Sequence, residues 1–163
     1  MQYNIVDISD LKISTDPTEI LVTFSLGSCL GVAVFDPVAN IAGMLHSMLP
    51  RASLDLQKAE KTPGMFVDTG ITELFNEMFR QGARKKYMKV TISGAARVLQ
   101  GHSHFRIGER NLEVCQRIFH KNNIPIHVNM TGGEQSRTIF LHVGTGHFTV
   151  RCGGQETVYE LSG

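Results

Sequence analysis

No block of like charges, no long apolar run and no closely spaced cysteine pair marks this sequence, and each absence removes a class of protein. The formal net charge is +1, with 16 Lys and Arg against 15 Asp and Glu. That balance gives no electrostatic case for nucleic acid or an anionic membrane as partner. The apolar stretches fall well short of the roughly 20 residues that span a bilayer as a helix. The first ten residues, MQYNIVDISD, lack the basic start and apolar run of a secretory signal. Cys29, Cys115 and Cys152 are odd in number and far apart, with no CxxC. They read as free thiols in a reducing cytoplasm rather than a disulfide framework. No internal repeat and no Pro- or Ser-rich linker divides the chain, so residues 1–163 are expected to form one domain with a single core. With 42% hydrophobic and 19% charged residues, the composition is that of a folded soluble protein.

What is present is mostly strand, with two helices inserted. Residues 4–8 and 20–26 read as short strands. LGVAVFD at 30–36 is apolar on both faces, as a buried strand is, and Asp36-Pro37 ends it with turn chemistry. IAGMLHSML at 41–49 completes a hairpin. Residues 51–64 read as loop. Ile71, Leu74, Phe75, Met78 and Phe79 recur at helical spacing, with Pro63 placed to open the helix and Gly82 to close it. A strand at 87–93 precedes a loop at 94–106 and a second helix near 108–121, with Leu112, Cys115, Ile118 and Phe119 inward. Ile124, Ile126, Val128 and Met130 alternate as on a strand. TIFLHVG and HFTVRC form a hairpin around Gly144-Thr145-Gly146, and the tail after Gly153-Gly154 is expected to be peripheral. The order predicts an α+β fold, helices on mixed or antiparallel sheet, with two sheets face to face.

The chemistry gathers around G-S-C-L-G at 27–31. Cys29 alone reads more readily as a small core residue than as a nucleophile. His46 shares a strand face with Ala42, Met44 and Met48, where it is either a hydrogen-bonded core histidine or a positioned base. Together they say more. If the two hairpin strands pair around 37–40, residue 30 faces about residue 47, and Cys29 and His46 meet at one end of the hairpin. An imidazolium there would stabilise a thiolate: bringing a thiol from about 8.5 to about 7 takes about 2 kcal/mol. Gly27 and Gly31 permit a tight turn, whose N–H groups could hold an oxyanion. Thr23, expected to share a face with Ser25, could orient the imidazole or the substrate amide as a third member. Ser28 is a rival nucleophile, but the centre of the G-x-x-x-G turn is Cys29. A hydrolase nucleophile elbow is excluded, because strand and not helix follows the turn.

Other polar groups have plainer readings. His102 and His104 could hold zinc, but no third ligand stands at suitable spacing, so no metal is expected. His142 and His147 flank a hairpin turn at its solvated end. Cys115 and Cys152 are expected in the core. Arg110 and Asn111 fit helix capping and packing. Arg137 is expected either in an ion pair or at the substrate.

TFSLGSCLGVAVFDP at 23–37, GMLHSMLP at 43–50, GAR at 82–84, IGERN at 107–111, NNIPI at 122–126, GGEQSR at 132–137 and TGHFTVR at 145–151 together give the chain a resemblance to the CheD family, the chemoreceptor glutamine deamidases of bacterial chemotaxis. The resemblance places the family's catalytic cysteine on Cys29, its histidine on His46 and its active-site threonine on Thr23. It implies a mixed β-sandwich flanked by helices, a cysteine-hydrolase fold like that of the cytotoxic necrotizing toxins. It also implies hydrolysis of glutamine side chains on chemoreceptor cytoplasmic helices, no cofactor, and a CheC-type phosphatase as partner, without nucleic acid or membrane insertion. Ser93 and Ser136 depart from the family pattern, which has glycine at both places. A non-catalytic adaptor that binds receptors or the phosphatase is the alternative, as is, more distantly, a metal-dependent hydrolase using the histidine loop.

Overall fold

A computed structural model describes residues 1–97 and 106–163. The strands are β1 (Gln2–Ile5), β2 (Leu11–Ser14), β3 (Glu19–Leu26), β4 (Leu30–Asp36), β5 (Ile41–Ser47), β6 (Lys89–Gly94), β7 (Val128–Thr131), β8 (Arg137–His142), β9 (His147–Cys152) and β10 (Gln155–Glu160). The helices are α1 (Leu56–Lys61), α2 (Val67–Arg80) and α3 (Ile107–Lys121). Two five-stranded mixed sheets face each other. One runs β1-β3-β8-β9-β10 and the other β2-β5-β4-β6-β7. The α+β class and the two facing sheets are as the sequence predicts.

The second sheet has a core on each face. Leu30, Val32, Val34, Leu45, Val90 and Ile92 turn outward onto Ile71, Leu74, Phe75, Met78, Val114, Cys115 and Phe119 of α2 and α3. Ala33, Phe35, Ala42 and Met44 turn inward onto Leu21, Leu26, Ile139, Leu141, Phe148 and Val150 of the first sheet. This explains why every residue of β4 and β5 is buried: β4 is central and covered on both sides. The helices cover one side of the sandwich only. Of the five apolar residues predicted for the α2 stripe, Phe79 stays 41% exposed and only meets Phe75 edge-on.

Four elements differ from the sequence reading. Residues 11–14, to which the sequence reading assigns no element, form β2 on the edge of the second sheet, paired antiparallel with β5. The loop at 51–64 contains α1, whose first turn is capped by Asp55 accepting from the Lys58 N–H at 3.1 Å. The tail is not peripheral: β10 pairs with β9 along its whole length, and Leu161 behind it is buried. The strand read from residue 124 is regular only from Val128, while Ile124 and Ile126 pack beside the helices.

Candidate active site

β3 reaches the site through a bulge. Its register with β8 shifts between Thr23 and Leu26, and Ser25 takes a positive φ of 55°. Strict alternation would put Thr23 and Leu26 on opposite faces. The bulge turns both into the layer between the sheets and leaves Phe24 and Ser25 exposed. The shared face expected for Thr23 and Ser25 is therefore absent. Leu26 then lies over β4, where a Cβ on Gly31 would sit 2.6 Å from Leu26 Cδ1. Any larger residue there would have to push the Leu26 side chain aside.

The turn that follows, residues 27–29, is held by its carbonyls. Gly27 accepts from the Ala96 N–H at 2.8 Å and Cys29 from the Ala95 N–H at 2.8 Å. Ser28 accepts from Asn111 Nδ2 at 2.9 Å. No described residue accepts from the N–H groups of Gly27, Ser28 or Cys29. A turn pinned in this way leaves its donors for something outside the fold. Gly94 makes the contact possible. It has a φ of 89°, and a Cβ there would meet the Cys29 carbonyl oxygen at 2.4 Å.

The hairpin places the histidine as the sequence predicts. Leu30 pairs with Ser47 and Gly31 with His46. Directly paired residues share a face, so Cys29, two residues before Gly31, is the diagonal neighbour of His46. Both point into the inter-sheet layer: Cys29 packs against the inter-sheet core, and His46 is 1% exposed. Gly31 stands between them without a side chain.

Thr23 determines which nitrogen of His46 carries the proton. Its Oγ1 lies 2.6 Å from the Val6 carbonyl oxygen and 2.6 Å from His46 Nδ1. The hydroxyl has one hydrogen, and the carbonyl can only accept. Thr23 therefore donates to Val6 and accepts from His46 Nδ1–H. Nε2 is left with a lone pair, buried and without a hydrogen-bond partner among the described residues. That is an imidazole poised to take a proton.

Burial sets the charge state. It pushes His46 down to about 4, with Asp7 pulling weakly the other way, and it pushes the Cys29 thiol up. Both shifts favour the uncharged forms, thiol and neutral imidazole. Both shifts run against the thiolate–imidazolium pair expected from the sequence, because burial disfavours both charges.

Asn111, read from the sequence as a capping or packing residue, packs against the candidate site. It sits on the inward face of α3, fully buried, and its Nδ2 donates to Ser28 and Met48 carbonyls at 2.9 and 3.0 Å. One amide thus ties the cysteine turn to the end of the histidine strand. The signal in the sequence is an amide one helical turn before Cys115 on an apolar face. Arg137 makes no ion pair among the described residues: its Nη1 donates to the Gly94 carbonyl at 3.2 Å and to that of Gly132. A cleft of about 210 Å³ opens beside the turn, lined by Ala95, Arg97, Glu109, Gly132, Gly133 and Glu134.

The remaining residues stay outside the site. Cys115 is core, its thiol pushed up to about 12 by burial. Cys152 is half-buried and not core, with Sγ 3.4 Å from Gln135 Oε1. His147 faces Glu160 at 3.6 Å at the hairpin end. His102 and His104 lie outside the described residues. Among the described residues no cluster of His, Cys, Asp and Glu has metal-binding geometry, and no helix is long and apolar enough to cross a membrane.

The family model for CheD chemotactic sensory transduction matches residues 48–152. A curated relative, the "Probable chemoreceptor glutamine deamidase CheD 1" of Syntrophus aciditrophicus, is 45% identical over 92% of this chain and 94% of its own. The "Probable chemoreceptor glutamine deamidase CheD" of Solibacter usitatus is 34% identical over 96% of this chain and 92% of its own. Among solved structures, the Bacillus licheniformis hypothetical protein YfiH superposes with a TM-score of 0.47 at 14% identity, over 74% of this chain and 49% of that one.

Proposed function

The chain belongs to the CheD family, and on that premise we propose that it hydrolyses the side-chain amides of chemoreceptor glutamines to glutamate, with Cys29 as nucleophile, His46 as proton carrier and Thr23 as the residue that orients His46. The observation that carries this reading is the buried Nε2 lone pair of His46. Thr23 leaves it unprotonated, and it lies on the face it shares with Cys29.

The steps follow from the geometry. The glutamine carboxamide approaches the turn at 27–29. Sulfur attacks the carbonyl carbon as the thiol proton passes to His46 Nε2, and the oxyanion is received by N–H groups of the turn. The imidazolium so formed keeps Nδ1–H on Thr23. It then protonates the departing nitrogen, ammonia leaves, and a thioester joins the substrate to Cys29. Water gives a proton to Nε2 and adds to the thioester. The second tetrahedral species collapses, and Cys29 leaves with the proton returned from His46. The product carboxyl ionises, so the receptor helix gains one negative charge. Two neutral reactants in a dry layer avoid the cost of storing an ion pair between turnovers.

The proposal extends to a single domain over residues 1–163, to the cytoplasm, where chemoreceptor helices present their glutamines, and to a cysteine-hydrolase fold of the toxin type. A CheC-type phosphatase is the proposed regulatory partner. No cofactor is needed. An adaptor that only bound receptors would have no use for a buried imidazole whose second nitrogen lacks a partner. The test is mass spectrometry of a receptor cytoplasmic fragment after incubation with the protein. Glutamine peptides should shift to glutamate with the wild type and stay unchanged with Cys29→Ala. Conversion by Cys29→Ala at the wild-type rate would reject the nucleophile.

A further inference from the structure

Ser93 stands in a row that crosses the second sheet. His46 pairs with Gly31, Gly31 with Ser93, and Ser93 with Met130. Paired residues share a face, so Ser93 presents to the same inter-sheet layer as His46 and lies diagonal to Cys29 across the β4–β6 ladder. It is fully buried, and its Oγ has no hydrogen-bond partner among the described residues. The other buried hydroxyls nearby behave differently. Thr23 donates to the Val6 carbonyl, Ser47 to that of Gly64 and Thr91, on the same strand as Ser93, to that of Ala33. A buried hydroxyl without a partner weakens the fold, and such groups persist where another state of the protein uses them.

The step derived for Cys29 supplies that state. As the thiol proton passes to His46, negative charge builds on the sulfur before its bond to carbon is complete, and Ser93 is an unpartnered donor diagonal to Cys29 on the same face. We propose that Ser93 Oγ donates a hydrogen bond to the Cys29 sulfur in its thiolate form, making Ser93 a further catalytic residue of the deamidation. This rests on Cys29 being the nucleophile. Other polar groups around the turn are partly engaged: His46 Nδ1 holds Thr23, Arg137 Nη1 on β8 holds the Gly94 and Gly132 carbonyls, Asn111 Nδ2 holds the Ser28 and Met48 carbonyls, and Arg97 and Glu109 pair with each other at the cleft. Arg137 Nε and Asn111 Oδ1 are also buried without a partner among the described residues, and Ser93 is the unpartnered hydroxyl on the face that His46 shares.

The test uses the whole chain with Ser93→Ala. Cys29 is alkylated with iodoacetamide across a pH series and followed at its own peptide by mass spectrometry. Unfolding in guanidinium and turnover on a receptor fragment are measured alongside. The titration midpoint of Cys29 should rise by about one unit, a tenfold loss of thiolate below the midpoint. The kcat should fall about tenfold with KM unchanged, and stability should be unchanged or higher, because an unpartnered polar group has been removed. An unchanged alkylation midpoint overturns the proposal. So does a destabilised or unfolded variant, since the hydroxyl would then be structural. Alkylation needs no receptor, so failure of the Cys29 assignment is read separately, from persistent deamidation by Cys29→Ala.

Discussion

Replacing Thr23 with valine keeps the shape of the side chain and removes its hydroxyl. Two buried groups lose their partner at once, the Val6 carbonyl and His46 Nδ1–H, each now 2.6 Å from Thr23 Oγ1. An orphaned buried donor or acceptor costs about 1–3 kcal/mol, so with partial relaxation the loss of stability is about 2–5 kcal/mol. The catalytic effect is separate. Without an acceptor at Nδ1, the proton is free to move to Nε2, where it blocks uptake of the thiol proton. General-base catalysis is worth about 10²–10⁴, and turnover should fall within that range. Thr23→Ser keeps the hydroxyl and should keep most of both properties, its loss reflecting one methyl group. The assay pairs guanidinium unfolding at constant m-value with deamidation kinetics under conditions where each variant is folded. Full turnover by folded Thr23→Val would refute the tautomer argument, as would equal losses in the valine and serine variants.

Acid should weaken the fold through His46. Its folded value of about 4 lies below the ordinary 6.5, so the unfolded chain binds the extra proton between those values. Stability is therefore highest above about pH 6.5 and falls as pH drops toward 4, by about 3 kcal/mol from this residue. Unfolding free energies across that window should flatten in His46→Gln, and an unchanged slope would contradict burial as the cause. Asn111→Leu removes the donor shared by the Ser28 and Met48 carbonyls, and should cost about 2–4 kcal/mol and lower kcat more than it raises KM; a change in stability alone would make the amide purely structural. Gly94→Ala puts a methyl 2.4 Å from the Cys29 carbonyl at a φ of 89°, and should displace the turn, cutting turnover at least tenfold in a protein that retains its circular dichroism.

Much of this site was legible because the hairpin is local. A two-sided apolar run, an Asp36-Pro37 turn and a second apolar strand leave few ways to pair, and the register Leu30–Ser47 follows. The helix stripes were legible for the same reason, each being a local period. What escaped was set by distant segments. LKIS at 11–14 becomes a strand only because the edge of β5 is free to pair with it. The tail QETVYE, mostly exposed, is held by β9 and not by burial of its own. The contact between Thr23 and His46 crosses from one sheet to the other and depends on a bulge at Ser25 that alternation cannot reveal. The charge balance depends on distant segments too: nearness of thiol and imidazole favours an ion pair, whereas burial by the facing sheet pushes both groups toward their neutral forms.

The most direct measurement is nitrogen-15 NMR of His46 in the intact protein, through the neutral range and down to acid. The expected spectrum has Nδ1 protonated and Nε2 unprotonated at neutral pH, with Nε2 gaining its proton only near pH 4. A proton on Nε2 at neutral pH, or an imidazolium there, would contradict the assignment of His46 as a neutral base held in place by Thr23.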